Sequence, residues 1–397
     1  MSRLWDKGAP LDERVLAFTA GDDYLLDERL VGYDVRASIA HAEMLNAQKL
    51  LADADLQAIR AGLEAIGAEH AAGHWKIELS DEDGQTALER RLTARIGSAG
   101  GRVHLGRSRN DQVLAALRLY LLDAGAELAA AAEHCAAALD ALAQREGDVA
   151  LPGYTHMQQA MPSSVALWAG GFAAELRDDA EGLGGTARRA SRSPLGSAAG
   201  YGTPGLPLDR EATRARLGFR ELHAPVTAVQ LARGKAEAQL LFECTLLVQD
   251  LGRLASDLLL FYTQEFAFVT LPDSFTTGSS IMPQKRNPDV FELVRGRSAV
   301  AQACLTEVLG IVAKLPSGYQ RDLQLLKFPL FRGIDICAQT LDIMAAALAE
   351  VVFDEATIKA KVNPSIHAAD QAYVLALTEG IPFREAYKRV SADLRRD

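Results

Sequence analysis

Two long series of apolar side chains at helical spacing constrain this chain more than any other feature. After Val113 such side chains recur every three or four residues for about 30 residues, a length of about 45 Å as a helix. The second series alternates steps of four and three, which makes a heptad seam. The two series are Leu117, Leu121, Ala124, Leu128, Ala132, Cys135, Leu139 and Leu142, and then Leu240, Cys244, Leu247, Leu251, Leu254, Leu258 and Phe261. Helices of this length bury such stripes on one another, so the pattern predicts an antiparallel helix bundle.

The same periodicity predicts three further helices, over residues 163–190, 290–313 and 331–352. Pro162 suits the first turn of the first of these, because the missing N–H of proline is not needed there. No alternating pattern is long enough to predict a sheet, although short β pieces can lie in the glycine-rich stretch 193–211. We therefore expect an all-α fold in which partner chains cover the apolar surface that the bundle leaves exposed.

Composition excludes several classes of protein. The 397 residues carry a net charge of −10 and no basic tract interleaved with aromatics, which argues against nucleic acid as a partner. The four cysteines stand far apart and predict neither a zinc site nor a disulfide framework. The charged N-terminus does not resemble a secretory signal, and no apolar run is long enough to cross a bilayer. These observations predict a cytoplasmic protein with no membrane partner.

Four polar segments interrupt the helical pattern: residues 103–113, 151–162, 276–292 and 314–327. The third, TTGSSIMPQKRNPDVFE, places a Gly-Ser-Ser sequence beside Lys285 and Arg286, between Pro283 and Pro288. An ordinary solvated loop explains the charges, but it does not explain the serines and the bracketing prolines. Loops fixed by a rigid scaffold often carry function, and amides after Pro288 at a helix start favour an anion.

The other three segments each contain candidate site residues with a structural alternative. His156 is a candidate acid or base in a loop between two prolines, or a merely structural histidine. Asn110 or Asp111 is a natural N-cap, whereas the guanidinium groups of Arg107 and Arg109 suit carboxylates. The last segment contains Tyr319, Gln324 and Lys327, which also fit an ordinary helix start.

The combination points to a reaction class. A cleft with several cations, a histidine and hydroxyl groups fits proton abstraction beside a carboxylate. The glycine-rich stretches do not form the GxGxxG pattern of a dinucleotide site, and no metal-ligand cluster is evident.

Three motifs together resemble the fumarase/aspartase superfamily, and within it most closely the argininosuccinate lyase family. They are GSSIMPQKRNP, HLGRSRNDQV and GYTHMQQAMP, and the resemblance extends from about Leu4 to the end through QEFAFVTLPD and IPFREAYKRV. Fumarases usually have glycine at position 284 and adenylosuccinate lyases tyrosine, whereas this chain has Gln284.

The resemblance implies an all-helical protomer whose central helices form a homotetrameric twenty-helix core, with each active site built from three subunits. Three domains are implied: N-terminal helical residues 1–106, a central bundle with a catalytic flap at 107–357, and a short helical C-terminal domain at 358–397. The implied reaction splits argininosuccinate into arginine and fumarate by elimination, without a metal or an organic cofactor.

The resemblance also implies roles for individual residues. Ser279 would be the base, Lys285 and Asn287 would stabilise the carbanion-like intermediate, and His156, oriented by Glu292, would take part in proton transfer at the leaving nitrogen. The substrate would be held by Arg109, Asn110, Thr155, Tyr319, Gln324 and Lys327.

Three positions depart from the family pattern. Gly21 replaces a substrate-contacting serine, Gln85 stands where histidine is common, and residues 226–235 replace an acidic run. Two alternatives remain: a superfamily lyase acting on another substrate such as adenylosuccinate, and a noncatalytic structural relative of the crystallin type.

Overall fold

A computed structural model describes residues 12–394 of the chain, and these residues form an all-α fold with small β elements. The charged N-terminus before residue 12, which includes the start of the family resemblance at about Leu4, lies outside this range, and so do the last three residues. The helices of seven or more residues are α1 Glu13–Ala20, α2 Val31–Ala47, α3 Asp53–Ala71, α4 Gly84–Ile96, α5 Arg109–Glu146, α6 Val165–Gly185, α7 Arg210–Leu217, α8 Lys235–Tyr262, α9 Asp289–Val312, α10 Lys327–Glu350, α11 Glu355–Lys361, α12 Ala368–Glu379 and α13 Phe383–Asp393.

The two predicted seams are confirmed as buried helix faces. All eight side chains of the first series lie in α5 and all seven of the second lie in α8, and each is at most 4% exposed. The three further predicted helices correspond to α6, which is followed by a single turn at Ala187–Ala190, and to α9 and α10.

The chain divides into two compact units. Of the described residues, the first unit contains 12–128, 182–244 and 302–335, and the second contains 129–181, 245–301 and 336–394. The divisions fall within α5, α6, α8, α9 and α10, so neither unit is one continuous stretch of sequence. The three-domain division implied by the family resemblance stays a prediction.

The first unit has a core between α2, α3 and α4. Val35, Leu45, Leu63 and Leu92 are among its buried side chains, and α2 packs on α3 and α3 on α4. Gly62 permits close approach of α3 to α4, because a Cβ at this position would lie 2.7 Å from the Leu92 Cδ1 atom. This unit also contains three single helical turns, at Asp23–Leu26, Ser98–Gly101 and Ala228–Leu231. It has four 3₁₀ turns, at Asp27–Leu30, Leu79–Asp81, Arg102–His104 and Arg321–Leu326. One short parallel strand pair joins Arg192–Ser193 to Glu221–Leu222.

The second unit contains a hairpin that the sequence did not predict. Strands Ala150–Thr155 and Gln158–Ser164 pair antiparallel, so the expectation that 151–162 is irregular and that no sheet forms was wrong there. Pro152 pairs with Pro162, which the sequence placed in a helix. A ribbon of two strands has two free edges, so both proline rings are tolerated. Helix α6 begins at Val165, where the Ser164 hydroxyl accepts a hydrogen bond from the Leu167 N–H at 3.2 Å.

An aromatic cluster lies between the helices of the second unit. The Trp168 ring lies 5.6–5.8 Å from the rings of Phe172, Phe261 and Phe353, and its indole N–H donates to the Asp257 carboxylate at 3.0 Å. This unit also contains two short antiparallel strand pairs, Val269–Thr270 with Val352–Phe353 and Thr277–Gly278 with Arg286–Asn287. It has 3₁₀ turns at Asp273–Phe275 and Pro364–His367.

Candidate active site

One polar pocket in the first unit brings together five of the residues that the resemblance assigns to substrate binding. Arg109, Asn110, Tyr319, Gln324 and Lys327 line it. Its other described lining residues are Asp23, Asp83, Gln85, Val113, Arg233 and Arg321. Side chains of both charge signs around a small space are suited to a substrate that itself carries both signs.

The start of α5 presents Arg109 and Asn110 to this pocket. Ser108 is the cap, because its hydroxyl accepts from the Asn110 N–H at 3.3 Å while the Asp111 carboxylate accepts from the Ser108 N–H at 3.1 Å. The prediction that Asn110 or Asp111 is the N-cap was therefore wrong. The Asn110 side chain is not used for capping and lines the pocket instead.

Asp111 is a buried anchor rather than a cap. Its second carboxylate oxygen accepts hydrogen bonds from the N–H groups of Gly196 (3.1 Å) and Ala198 (2.8 Å). Burial raises its pKa to about 6, although Arg107 and these N–H donors favour the charged form. Asp111 thereby ties the start of α5 to the glycine-rich segment.

The two arginines of GRSRND have different surroundings. The Arg107 side chain is buried, donates to the Ser38 hydroxyl at 2.9 Å and lies 3.7 Å from the Asp34 carboxylate. Burial lowers the pKa of Arg107 despite the attraction of Asp34. Arg107 is not among the described lining residues of the pocket, whereas Arg109 lines it and forms a 2.7 Å ion pair with Asp83.

Lys327 lies at the start of α10 between two aspartates. Its ammonium nitrogen is 2.5 Å from the Asp27 carboxylate and 2.9 Å from the Asp23 carboxylate, and the residue is 2% exposed. Burial favours the neutral amine, but the attraction of Asp27 and Asp23 outweighs it and raises the pKa of Lys327. Burial also raises the pKa of Asp23 to about 7, although Lys327 opposes this shift. The predicted carboxylate-binding lysine thus already has two carboxylates of its own.

Gln324 and Gly21 adjoin each other beside the pocket. The Gln324 amide donates to the carbonyls of Thr19 and Ala20, both at 3.0 Å, and a Cβ at Gly21 would lie 3.9 Å from its nitrogen. Gly21 ends α1 with φ 52° and ψ −133°, a backbone conformation that side chains other than glycine rarely adopt. The departure from serine at this position therefore has a backbone reason.

Sequence reasoning assigned no role at the site to Asp23, Asp83, Arg233 and Arg321, and noted Gln85 only as a departure. The amide of Gln85 donates to the Asp34 carboxylate at 3.0 Å. Asp83 caps α4 by accepting a hydrogen bond from the Thr86 N–H at 2.8 Å. An aspartate in this sequence position predicts a helix start, but it does not predict that the residue lines a pocket. Arg233 lies in the segment 226–235 that departs from the family pattern.

The remaining predicted site residues belong to the second unit and are not among the described residues that line the pocket. His156 and Met157 form the two-residue turn of the hairpin, directly after Thr155, and have φ 52° and 61°. Positive φ at both central positions is the type I′ geometry, which usually requires asparagine or glycine. A histidine and a methionine there hold a strained conformation, with the His156 ring exposed at the tip.

Ser279 lies in the segment between the short strands Thr277–Gly278 and Arg286–Asn287. Its hydroxyl oxygen accepts hydrogen bonds from the backbone N–H groups of Met282 (3.2 Å) and Ile281 (3.4 Å). Donors of this kind stabilise negative charge on an oxygen, so they favour ionisation of the hydroxyl.

The charged groups of this segment differ in their pairing. Arg286 forms a 2.8 Å ion pair with Asp273. The Lys285 ammonium is exposed and has no ion-pair partner among residues 12–394. Asn287 donates to the Thr277 hydroxyl at 3.4 Å, and Glu292 is exposed on the first turn of α9. In the described part of the chain no hydrogen bond joins His156 to Glu292, so their predicted pairing stays a prediction.

Among the described residues no group of three or more His, Cys, Asp and Glu side chains is placed to hold a metal ion. None of the helices within residues 12–394 is long and apolar enough to cross a bilayer.

Comparisons with known proteins agree with the motifs. A family model described as lyase matches residues 9–303. An argininosuccinate lyase of Sorangium cellulosum is 47% identical over 392 residues, which cover 99% of this chain and 90% of that protein. One of Stenotrophomonas maltophilia is 42% identical over 391 residues, which cover 98% of this chain and 90% of that protein.

Two solved structures share the fold of this chain. The structure of EDDS lyase in complex with formate has a TM-score of 0.82 at 26% identity, covering 97% of this chain and 76% of that one. A class II fumarase from Schistosoma mansoni has a TM-score of 0.79 at 17% identity, covering 96% of this chain and 93% of that one, which shows the fold. With relatives this similar over almost its whole length, the chain belongs to the argininosuccinate lyase family of the fumarase/aspartase superfamily.

Proposed function

We propose that this protein is an argininosuccinate lyase that eliminates arginine from argininosuccinate and releases fumarate. The strongest support is the identity of 42–47% to argininosuccinate lyases over nearly the whole chain. The pocket that gathers Arg109, Asn110, Tyr319, Gln324 and Lys327 supports the proposal independently, because it combines cations, acids and amides for a substrate with carboxylate and guanidinium groups.

In this mechanism the Ser279 alkoxide removes the proton from the succinyl carbon next to the carbon that bears nitrogen. The electron pair left on carbon is delocalised into the adjacent carboxylate, where Lys285 and Asn287 stabilise the added charge. The pair then forms the double bond of fumarate while the carbon–nitrogen bond breaks. The leaving guanidine nitrogen receives a proton from His156, directly or through water. The two N–H groups that reach the Ser279 oxygen support the role of this side chain as a base.

We further propose that the protein works as a cytoplasmic homotetramer in arginine biosynthesis. Its four buried, free cysteines suit a reducing compartment. Leu167, Phe242, Leu293 and Leu309 are between 48% and 70% exposed on long helices, and contact between copies would cover them. Each active site is then built from three of the four copies, as the resemblance implies.

Absorbance of released fumarate tests the activity. Purified protein mixed with argininosuccinate is expected to release fumarate, and Ser279→Ala should reduce kcat by about 10³-fold or more, because it removes the proposed base. Ser280→Ala is the matched control and should retain most of the activity. Turnover only on adenylosuccinate, no turnover at all, or near-normal turnover by Ser279→Ala would each contradict the proposal.

A further inference from the structure

The cations of the pocket are not equally available to an anionic substrate. Arg109 is paired with Asp83 at 2.7 Å, and Lys327 is paired with Asp27 and Asp23. Arg321 is exposed to solvent, which weakens its field. The pocket therefore needs another source of positive charge for a substrate that carries several carboxylates.

Arg233 is a buried cation without a counterion. It is 4% exposed, and no carboxylate of the described residues lies within 4.0 Å of its guanidinium. Its Nε and Nη1 atoms are buried and have no hydrogen-bond partner among residues 12–394, where Nη2 reaches only the Leu323 carbonyl at a long 3.5 Å. An unpaired buried charge is costly, so a bound anion at this position would be strongly favoured.

The charged groups around Arg233 leave an excess of positive charge. Arg118 lies near enough for Arg233 to help lower its pKa, which burial reduces to about 10. Glu237 is buried, attracts Arg118 and has one carboxylate oxygen with no hydrogen-bond partner among the described residues. His223 is neutral at pH 7, because burial and then Arg118 lower its pKa to about 4. Neither guanidinium group has a carboxylate within 4.0 Å among the described residues.

Arg233 also has a neighbour with unused hydrogen-bonding capacity. Both amide atoms of Gln230 are buried and have no hydrogen-bond partner within the described range, and Gln230 and Arg233 together line a second cavity adjoining Leu315 and Leu323. Both residues come from segment 226–235, where this chain departs from the family pattern.

We propose that Arg233 is a substrate-binding residue of the pocket and supplies the charge that holds a carboxylate of argininosuccinate. This inference rests on the proposed function for the identity of the substrate, but not for the presence of the anion site. This carboxylate belongs either to the arginine end or to the succinyl end of the substrate. The product arginine carries the first and the product fumarate carries the second, so binding of each product alone distinguishes them.

Kinetics of two Arg233 variants test the proposal. Arg233→Met removes the charge and keeps the length, and it should raise KM for argininosuccinate about tenfold or more while kcat changes by less than about threefold. Arg233→Lys keeps a charge and should recover part of this loss. Arg189→Met, which removes an exposed arginine outside the pocket, is the matched control. A KM for Arg233→Met within about threefold of the parent protein would overturn the proposal.

Binding and stability measurements keep the test independent of turnover. Titration of the intact protein with arginine and, separately, with fumarate should show for Arg233→Met an affinity about tenfold lower for one of the two, which identifies the carboxylate. The melting temperature should stay the same or rise, because an unpaired buried charge is removed.

The possible failures can be separated. If the parent protein does not turn over argininosuccinate, the proposed function fails while the two titrations still decide the role of Arg233. Unchanged affinity for both products, or a fall in melting temperature that accounts for the loss of binding, would overturn the proposal for Arg233.

Discussion

At the scale of single residues, the pocket is organised by a buried lysine between two aspartates. Asp27 is fully buried and accepts a hydrogen bond from the Gly84 N–H at 3.0 Å as well as the contact from Lys327. Asp23 lines the pocket, and burial raises its pKa to about 7, so its charged form is less favoured than that of an exposed aspartate. The two carboxylates therefore contribute unequally to the ion pair.

Asparagine substitutions should reveal this inequality. Asp27→Asn leaves Lys327 with the weaker partner and should lower the free energy of unfolding by about 3–5 kcal/mol, the usual cost of breaking a buried pair. Asp23→Asn resembles the protonated acid and should cost about 1 kcal/mol. Urea unfolding at pH 7 measures both values. Equal losses in the two variants would show that Asp23 supports the ion pair as strongly as Asp27 does.

A buried histidine makes stability depend on pH. His41 is 1% exposed, and its Nε2–H donates to the Leu105 carbonyl at 2.9 Å. Burial lowers its pKa to about 3, and Arg107 and His104 add to the effect. Between the ordinary value of about 6.5 and about 3, the unfolded chain binds a proton that the folded chain does not. This contribution to stability is therefore present above pH 6.5 and is lost as the pH falls.

His41→Gln removes the titrating ring and retains an amide donor. From pH 7.5 to 5.0 the parent protein should lose about 2 kcal/mol more unfolding free energy than the variant does, at about 1.4 kcal/mol per pH unit. Urea unfolding at the two pH values gives the difference. Parallel losses in both proteins would mean that His41 is protonated in the folded state.

At the scale of secondary-structure elements, close helix packing in the first unit depends on Gly333 of α10. A Cβ at this position would lie 2.3 Å from the Leu241 Cδ2 atom of α8 and 3.4 Å from the Cys304 Cβ atom of α9. Leu241 and Cys304 are each 1% exposed, so neither can move aside freely. Glycine therefore sets the distance between three helices here.

Alanine at Gly333 should destabilise the protein despite its better helix propensity. The clash is expected to cost about 1–3 kcal/mol against a gain of about 1 kcal/mol. Gly171→Ala in α6 is the matched control, because nothing lies within 4 Å of an added Cβ, and it should be neutral or stabilising by up to about 1 kcal/mol. Thermal unfolding compares the two variants. Stabilisation by both would show that the helices separate without cost.

At the scale of the whole molecule, the proposed assembly makes a prediction about mixed oligomers. Asn110→Asp adds a negative charge to a pocket that should bind an anion, and Ser279→Ala removes the proposed base, so each variant alone should be inactive. If positions 110 and 279 of one active site come from different copies, random mixing of the two variants gives roughly a quarter of the sites both the native Asn110 and the native Ser279. Unfolding and refolding the two variants together, followed by the fumarate assay, measures the recovery.

The control is each variant refolded alone, which should stay inactive. Light scattering checks that the mixture reassembles to the mass of the parent protein. Full reassembly with no recovered activity would place residues 110 and 279 of each site in the same copy.

Much of the helical architecture could be predicted from the sequence because it depends on local periodicity. The seams of α5 and α8 and the existence of α6, α9 and α10 follow from apolar spacing alone. The hairpin of residues 150–164 was missed, because prolines and glycine obscure the period of two and a His-Met turn is not an expected hairpin signal.

The sequence by itself determined the fold class, the family and most of the candidate residues, because helical spacing and contiguous motifs are properties of neighbouring positions. Only the tertiary structure decided which of those residues share a pocket and which charges are free. Lys327 is neutralised by an aspartate 300 positions away, while Arg233 is buried with no counterion in the described part of the chain. Pairing and burial depend on which distant segments meet, and no local pattern encodes that.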